Sequence, residues 1–333
     1  MRHVSDSAVS LLARNHEVTY VTNYDSAHAD TVKLTISLNP LDARNWRSLV
    51  RLSREIKARK PDTVHINSGH PMLAPLYPFL GRYNTTMTIH DARAHAGERL
   101  VKRFFHPVHV TLAALFIPKF IVPSEATRAS LPSAVRRKPV FVVPLYFDFS
   151  DLKPTVPERR IGQPFRLLFF GRLLSYKGID TLVRAFAGLP MDKFELLIAG
   201  EGPAAPKVTL PNMTVINRYI EDEEMGPILD ATDAIVLSHH SMSQSGVLPF
   251  AVHFHRPVIA TDTGNMSEEY LRGNVAELVR PGSVDELRSA MLRLAAPENY
   301  REALMRMGRS GTVRPEMIRA LSEAVYGFNP VIS

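Results

Sequence analysis

The chain has 333 residues, 45% hydrophobic and 22% charged, with no cysteine. At roughly 100–200 residues per domain that is material for two cores, and the composition excludes collagenous, low-complexity and disordered chains. Without cysteine there are no disulfide staples, thiolate metal sites or cysteine nucleophiles. No secretory signal is legible at the start, and the longest apolar stretch, 108–122, is interrupted by Pro118 and Lys119, so a cytoplasmic protein is expected.

The charge is uneven. Residues 1–150 hold 20 Lys+Arg against 11 Asp+Glu, a balance of +9, whereas residues 151–333 hold 20 against 22, a balance of −2. A basic first half faces something anionic, either a membrane surface, a phosphorylated acceptor or nucleic acid, or is simply well solvated. A nucleic-acid partner is not expected, because no dense Lys/Arg tract interleaved with aromatics is present.

In chain order, β-branched runs at 17–22, 33–38, 63–67, 85–90 and 120–123 read as strands, with helices over 45–57 and 99–116. Apolar strands alternating with amphipathic helices predict a parallel sheet covered on both faces. Residues 151–164, with three prolines and five charges, read as an interdomain linker. The alternation resumes with strands over 166–170, 195–199, 213–216, 234–237 and 257–260 and helices over 284–296 and 315–328. The expected fold class is α/β, two doubly wound domains facing a cleft, with ligands outside the carboxyl ends of the strands.

Three loops of the second half carry chemistry. In FRLLFFGRLLSYKGIDTLVRA, 165–185, a buried strand runs into a glycine, an arginine, a short loop, then a lysine and glycine opening a helix. Arg172 and Lys177 near one helix start suit a diphosphate; a solvated pair on a loop is the plainer reading. In LIAGEGP, 197–203, the glycines bring backbone close to whatever occupies the cleft. In QSGVLPFAVHFHRPVIATDTG, 244–264, hydroxyl and glycine residues at a helix start offer an N-cap and free N–H groups.

These motifs, F-G-R-x4-K-G-I-D, L-x-I-x-G-x-G-P and P-V-I-A-T-D-x-G, resemble those of family 4 glycosyltransferases of the GT-B fold, over about residues 165–285. The resemblance implies that Arg172 and Lys177 bind the donor diphosphate, with Gly171, Glu201 and Gly202 in the donor site. Two glutamates eight apart, usual in the family, fall at Met242 and Phe250. Ser243, Gln244, Ser245, Gly246 and Val247 instead resemble a subgroup whose T/S-Q-S-G-V loop holds the nucleotide sugar through amides and hydroxyls. His255 stands where the family places a helix-ending glycine.

The first half resembles the family more loosely, through 61–71, 88–98 and 120–131. His90, at a strand end, corresponds to a histidine that contacts the donor sugar and phosphate; a hydrogen-bonded structural histidine is the alternative. Asp91, His95 and Glu98 are expected on the acceptor side. The chain opens at Met1-Arg2-His3-Val4 in what reads as the first helix, so the family's first strand and glycine-rich loop are expected to be absent. The family's V-x-P-H-G segment is altered at Val143-Pro144-Leu145-Tyr146.

The resemblance implies a retaining, metal-independent transferase moving sugar from a nucleoside-diphosphate sugar to a polysaccharide, glycolipid or lipid-linked acceptor. It implies no cofactor beyond that co-substrate, and a place in the cytoplasm or on the cytoplasmic face of a membrane. It divides the chain into an acceptor-side Rossmann-like domain (1–150), a linker (151–164), a donor-binding Rossmann-like domain (165–314) and a C-terminal helix (315–333) packing back toward the first. The alternatives are an inactive GT-B relative that binds nucleotide or a partner, and a nucleotide-sugar epimerase.

Overall fold

A computed structural model describes residues 17–22, 30–34, 36, 42–67, 71–90, 100–143, 162–241, 245–263, 275–309 and 323–327. The expected opening helix, the linker over 151–161 and most of 315–328 lie outside them. The described residues fall into two compact units, 17–143 with 323–327, and 162–309.

In the first unit β1 (Tyr20–Thr22) and β2 (Thr31–Lys33) form a parallel pair of their own, with Tyr20 opposite Thr31 and Thr22 opposite Lys33. The second strand therefore lies at 31–33 rather than over 33–38, because pairing with β1 decides its place; the Leu34 N–H then closes on the Thr22 carbonyl. Helix α1 (Ala43–Arg59) is capped by Asp42, whose carboxylate accepts from the Arg44 N–H at 3.0 Å. Its Leu52 and Ile56, four apart, enter the core.

Strands β3 (Thr63–Ile66), β4 (Asn84–Thr88), β5 (Lys119–Val122) and β6 (Val140–Val142) make a four-stranded parallel sheet in that order. Chain order equals sheet order, so right-handed crossovers put the connecting helices on one face. These are a 3₁₀ turn (Pro71–Leu76) leading into α2 (Tyr77–Leu80), then α3 (Leu100–Phe116), α4 (Glu125–Ser130) and α5 (Ser133–Arg136). Ile66, Met87 and Phe120 meet Tyr77, Val110, Ala113 and Val135 there.

The second unit has six parallel strands: β7 (Phe165–Phe170), β8 (Phe194–Gly200), β9 (Met213–Asn217), β10 (Ala234–Leu237), β11 (Val258–Thr261) and β12 (Glu277–Val279). Their order is β12-β11-β10-β7-β8-β9, that of a doubly wound dinucleotide-type sheet whose order reverses between β7 and β10. Both faces are buried, which is why β7 reads FRLLFF: Leu167 and Phe169 pack with Leu182 of α6 (Ile179–Phe186) and Met291 of α9 (Val284–Ala295). Leu168 and Phe170 point the other way, to Leu229 of α7 (Asp222–Asp230) and Leu248 of α8 (Val247–His253). A last helix, α10 (Pro297–Arg309), places Tyr300, Ala303, Leu304 and Met307 at helical spacing toward the core but was not read from the sequence, nor was the short edge strand β12 (Glu277–Val279).

Helix α8 ends in a Schellman turn. His255 adopts φ 52°, its N–H reaching the Val252 carbonyl at 3.1 Å, while the Arg256 N–H reaches that of Ala251 at 2.8 Å. Arg256 is wholly buried; its Nε donates to the Leu229 carbonyl at 2.8 Å and its Nη1 to that of Phe254 at 2.7 Å. One guanidinium thus satisfies orphan carbonyls at the C-termini of both α7 and α8. A non-glycine residue in the left-handed region costs about 1 kcal/mol, and the buried His255 Nδ1 has no hydrogen-bond partner. His255→Gly is expected to raise stability by about 1 kcal/mol, seen as a higher denaturant midpoint with unchanged slope.

Candidate active site

The reversal of strand order between β7 and β10 leaves their carboxyl-end loops diverging, and both become site walls. After β7 the chain runs through Gly171, Arg172 and a 3₁₀ turn (Ser175–Lys177) into α6. It is tied to the β8 loop by three backbone bonds, Gly171 N–H to Ala199, Leu173 N–H to Glu201 at 2.8 Å, and Ala204 N–H to Leu173. The approach is so close that a β-carbon on Gly200 would stand 2.0 Å from the Gly171 carbonyl oxygen. Gly202 donates its N–H to Asn217 Oδ1 at 3.0 Å.

On the other side Ser238 and His240, following β10, hold the same loop. Ser238 Oγ donates to the Lys177 carbonyl at 2.9 Å and the His240 N–H to that of Tyr176 at 2.8 Å. His240 Nε2 lies 3.3 Å from Asp180 Oδ1. Gly178, at φ 65°, passes so near Ser238 that a β-carbon would sit 1.9 Å from its carbonyl oxygen. Thr261 Oγ1, at the end of β11, donates to the His239 carbonyl at 2.6 Å. Sequence reading missed Ser238, His240 and Asn217; the run S-H-H-S directly after a four-residue apolar strand was the available signal.

Lys177 folds back across this frame. A β-carbon on Gly171 would lie 3.1 Å from Lys177 Nζ and 3.9 Å from Val247 Cγ2, so Gly171, Lys177 and the first residue of α8 converge. Burial, and then the charge of Arg172, brings the Lys177 ammonium down to about 8. Arg172 itself is exposed. An anion bound beside Lys177 and Arg172 relieves that repulsion on the lysine. Ser245 Oγ accepts from the Val247 N–H at 3.3 Å, and Phe250, at one glutamate position of the family, is buried beside Phe254. Met242, Ser243, Gln244, Asp91, His95 and Glu98 lie outside the described residues.

His90 belongs to the first unit. It lies two residues beyond β4, and its Nε2 meets the Asn67 carbonyl at 2.7 Å. Beneath it, on the sheet face opposite the helices, His65 bridges Thr88 Oγ1 through Nε2 at 2.8 Å and the Tyr326 hydroxyl through Nδ1. The 323–327 segment is anchored further where Asn84 Nδ2 donates to the Tyr326 carbonyl at 2.9 Å and Lys119 Nζ to that of Val325 at 2.6 Å. Among the described residues no group of three His, Cys, Asp or Glu side chains could hold a metal ion.

Residues 164–296 match the family Glycosyl transferases group 1, and residues 2–150 match Glycosyltransferase Family 4. A GDP-mannose:glycolipid 4-beta-D-mannosyltransferase of Xanthomonas campestris pv. campestris is 31% identical over 136 residues, 38% of this chain and 37% of that protein. The match thus spans little more than a third of that relative's length. The crystal structure of Anabaena Alr3699/HepE with UDP-glucose superposes with TM-score 0.74 at 16% identity, covering 98% of this chain and 96% of the other. That of WaaG, a glycosyltransferase involved in lipopolysaccharide biosynthesis, gives 0.70 at 14% identity, covering 99% and 95%. The chain belongs to the family 4 glycosyltransferases, with the GT-B fold of two Rossmann-like α/β domains.

Burial, and then the charge of His90, lowers His65 to about 4. An unfolded histidine titrates near 6.5, so between about pH 6.5 and 4 the unfolded chain binds the extra proton and stability falls with pH. His65→Gln is expected to flatten that part of the profile of melting temperature against pH, leaving the region above pH 7 nearly parallel to wild type.

Proposed function

We propose that this protein transfers a glycosyl residue from a nucleoside-diphosphate sugar to a glycolipid, lipid-linked or polysaccharide acceptor. The observation that carries the reading is the Lys177 ammonium held against Gly171, beside Arg172, at the switch point of the second sheet. Membership of the family supports it. The Xanthomonas relative is named for GDP-mannose and a glycolipid, and the Anabaena protein was solved with UDP-glucose, so the two differ in nucleobase and sugar.

In this reading Arg172 and Lys177 neutralise the charge growing on the departing diphosphate, usually the largest catalytic contribution in such a step. Gly171, Glu201, Gly202 and the 243–247 segment hold the donor, His90 contacts its sugar and phosphate, and Asp91, His95 and Glu98 face the acceptor. No metal or further cofactor is required, and the work is done in the cytoplasm, at its membrane face when the acceptor is lipid-linked.

Arg172→Ala and Lys177→Ala are each expected to lower turnover by about 10²-fold, measured as release of nucleoside diphosphate; unchanged rates in both would overturn the assignment. Lys177→Met should also raise the melting temperature of the free protein by removing a half-buried cation beside Arg172, while abolishing the shift that nucleoside diphosphates produce. In wild type, diphosphate affinity is expected to be flat between about pH 7 and 8, where the ligand's terminal phosphate is already ionised, and to weaken above about pH 8 as the free lysine loses its proton.

The family resemblance favours retention of anomeric configuration, through same-face attack with the departing phosphate as base. Inversion is a second reading, favoured by the Xanthomonas relative's name, since a β-mannoside formed from α-linked GDP-mannose is an inverted product. The one-bond C1–H1 coupling of freshly formed product, which separates the anomers of manno- as well as gluco-configured sugars, decides between them: the donor's configuration is expected, and the opposite one would establish inversion.

A further inference from the structure

The amine of Lys177 has surroundings that the other described lysines lack. Lys33, Lys57, Lys60, Lys193 and Lys207 are exposed. Lys119 is lowered from the usual lysine range by burial, but its Nζ is engaged by the Val325 carbonyl at 2.6 Å. Lys177 Nζ meets no hydrogen-bond acceptor among the described residues, and burial, ahead of the charge of Arg172, brings its ammonium down to about 8. A solvated lysine is almost wholly an ammonium at neutral pH, whereas an amine in this range is partly unprotonated and holds a lone pair that can attack carbon. No carboxylate acts on Lys177 to restore the charge; Asp180, which follows in the loop, faces His240 Nε2 at 3.3 Å instead.

The space beside that amine is open. Gly171, at φ 123°, carries no side chain, and a β-carbon built there would stand 3.1 Å from Lys177 Nζ and 3.9 Å from Val247 Cγ2. Apart from the glycine's chain neighbours, no other described atom lies within 4 Å of that point, so a small group attached to Nζ finds room there. Arg172 is exposed, enters no ion pair among the described residues, and is near enough for its charge to act on the lysine. A guanidinium so placed recruits a phosphate, which brings the rest of a phosphorylated reagent to the neighbouring amine. Burial is the larger cause of the lysine's shift, so the amine stays partly unprotonated when a phosphate sits on the arginine.

We propose that Lys177 is a site of acylation by acyl phosphates, with the reagent's phosphate seated on Arg172 and its carbonyl carbon presented to Nζ, and that this modification shuts the donor site. The lone pair of the unprotonated amine forms the C–N bond, the acyl C–O bond breaks, and the amine's surplus proton leaves with the phosphate as hydrogen phosphate. The amide that results carries no charge, so a diphosphate loses one of its two cations. That consequence rests on the donor-site reading above, whereas the acylation itself needs only the amine, the open space and the arginine.

Only ten of the chain's forty Lys+Arg are lysine, which keeps a map of the modified sites short. Wild-type protein treated with acetyl phosphate at about pH 7.5 is digested with trypsin, and acylated Lys177, which resists cleavage, is read by mass spectrometry in the peptide 173–184, cut after Arg172 and Arg184. Its rate of acylation is expected to exceed those of Lys193 and Lys207, exposed on the same unit, by at least about tenfold. N-acetoxysuccinimide, an uncharged acyl donor with no phosphate for Arg172 to hold, should show a smaller preference for Lys177. Arg172→Ala should lower the preference shown by acetyl phosphate at least about threefold, and the comparison of the two reagents on wild type does not depend on that variant's folding. Equal rates at the three lysines, or the same preference with both reagents, would overturn the proposal. A nucleoside diphosphate present during the reaction should protect Lys177, and prior acylation should remove the melting-temperature shift that nucleoside diphosphates produce. Selective acylation that nucleoside diphosphates do not slow would uphold the modification site and count against the donor reading, whereas protection or a melting shift without selective acylation would do the opposite.

Discussion

The carbonyl oxygen of Gly171 occupies the space that a side chain on Gly200 would need, and most of the candidate donor site depends on that approach. It lets the β7 loop bond to the β8 loop on one side, and a second close pass, Gly178 against Ser238, binds it to the β10 loop on the other. A loop fixed from both sides can hold Lys177 over its own backbone against the cost of burying an ammonium. The lowered pKa of Lys177 reflects that cost. The loop is thus held in place at the expense of stability.

The two sheets spend their faces differently. In the second unit both faces are apolar and covered by helices, and its polar residues gather at strand ends. In the first unit one face carries the helical core, while the other presents His65 and Thr88 to Tyr326. That polar seam couples the segment near the C-terminus to the strand ends from which His90 emerges. The histidine within it stays neutral because burial and its neighbour His90 both oppose a charge.

Much of this was legible in the residues. The strands of the second unit follow from continuous apolar runs, and β10 falls at 234–237 as read from sequence, because a strand buried on both faces tolerates no polar interruption. Strands β6 and β12, three residues each at sheet edges, were not legible, because so short a run carries no period. Likewise β2 was displaced by pairing, which local propensity does not encode. The anion-friendly loops were readable from glycine, arginine and lysine spacing. The residues that clamp them, Ser238, His240 and Asn217, were not, since they lie 61, 64 and 15 residues from their partners Lys177, Tyr176 and Gly202.

By itself the sequence determined the class of fold, the family, the loop that carries Arg172 and Lys177, and the basic balance of the first 150 residues, because each is written in local spacing or composition. Only the tertiary structure decided which backbone stands against which glycine, how far Lys177 is desolvated, and that Arg256 caps two helices at once. Those depend on which distant segments meet, and strand order and crossover hand, rather than any run of neighbouring residues, set that.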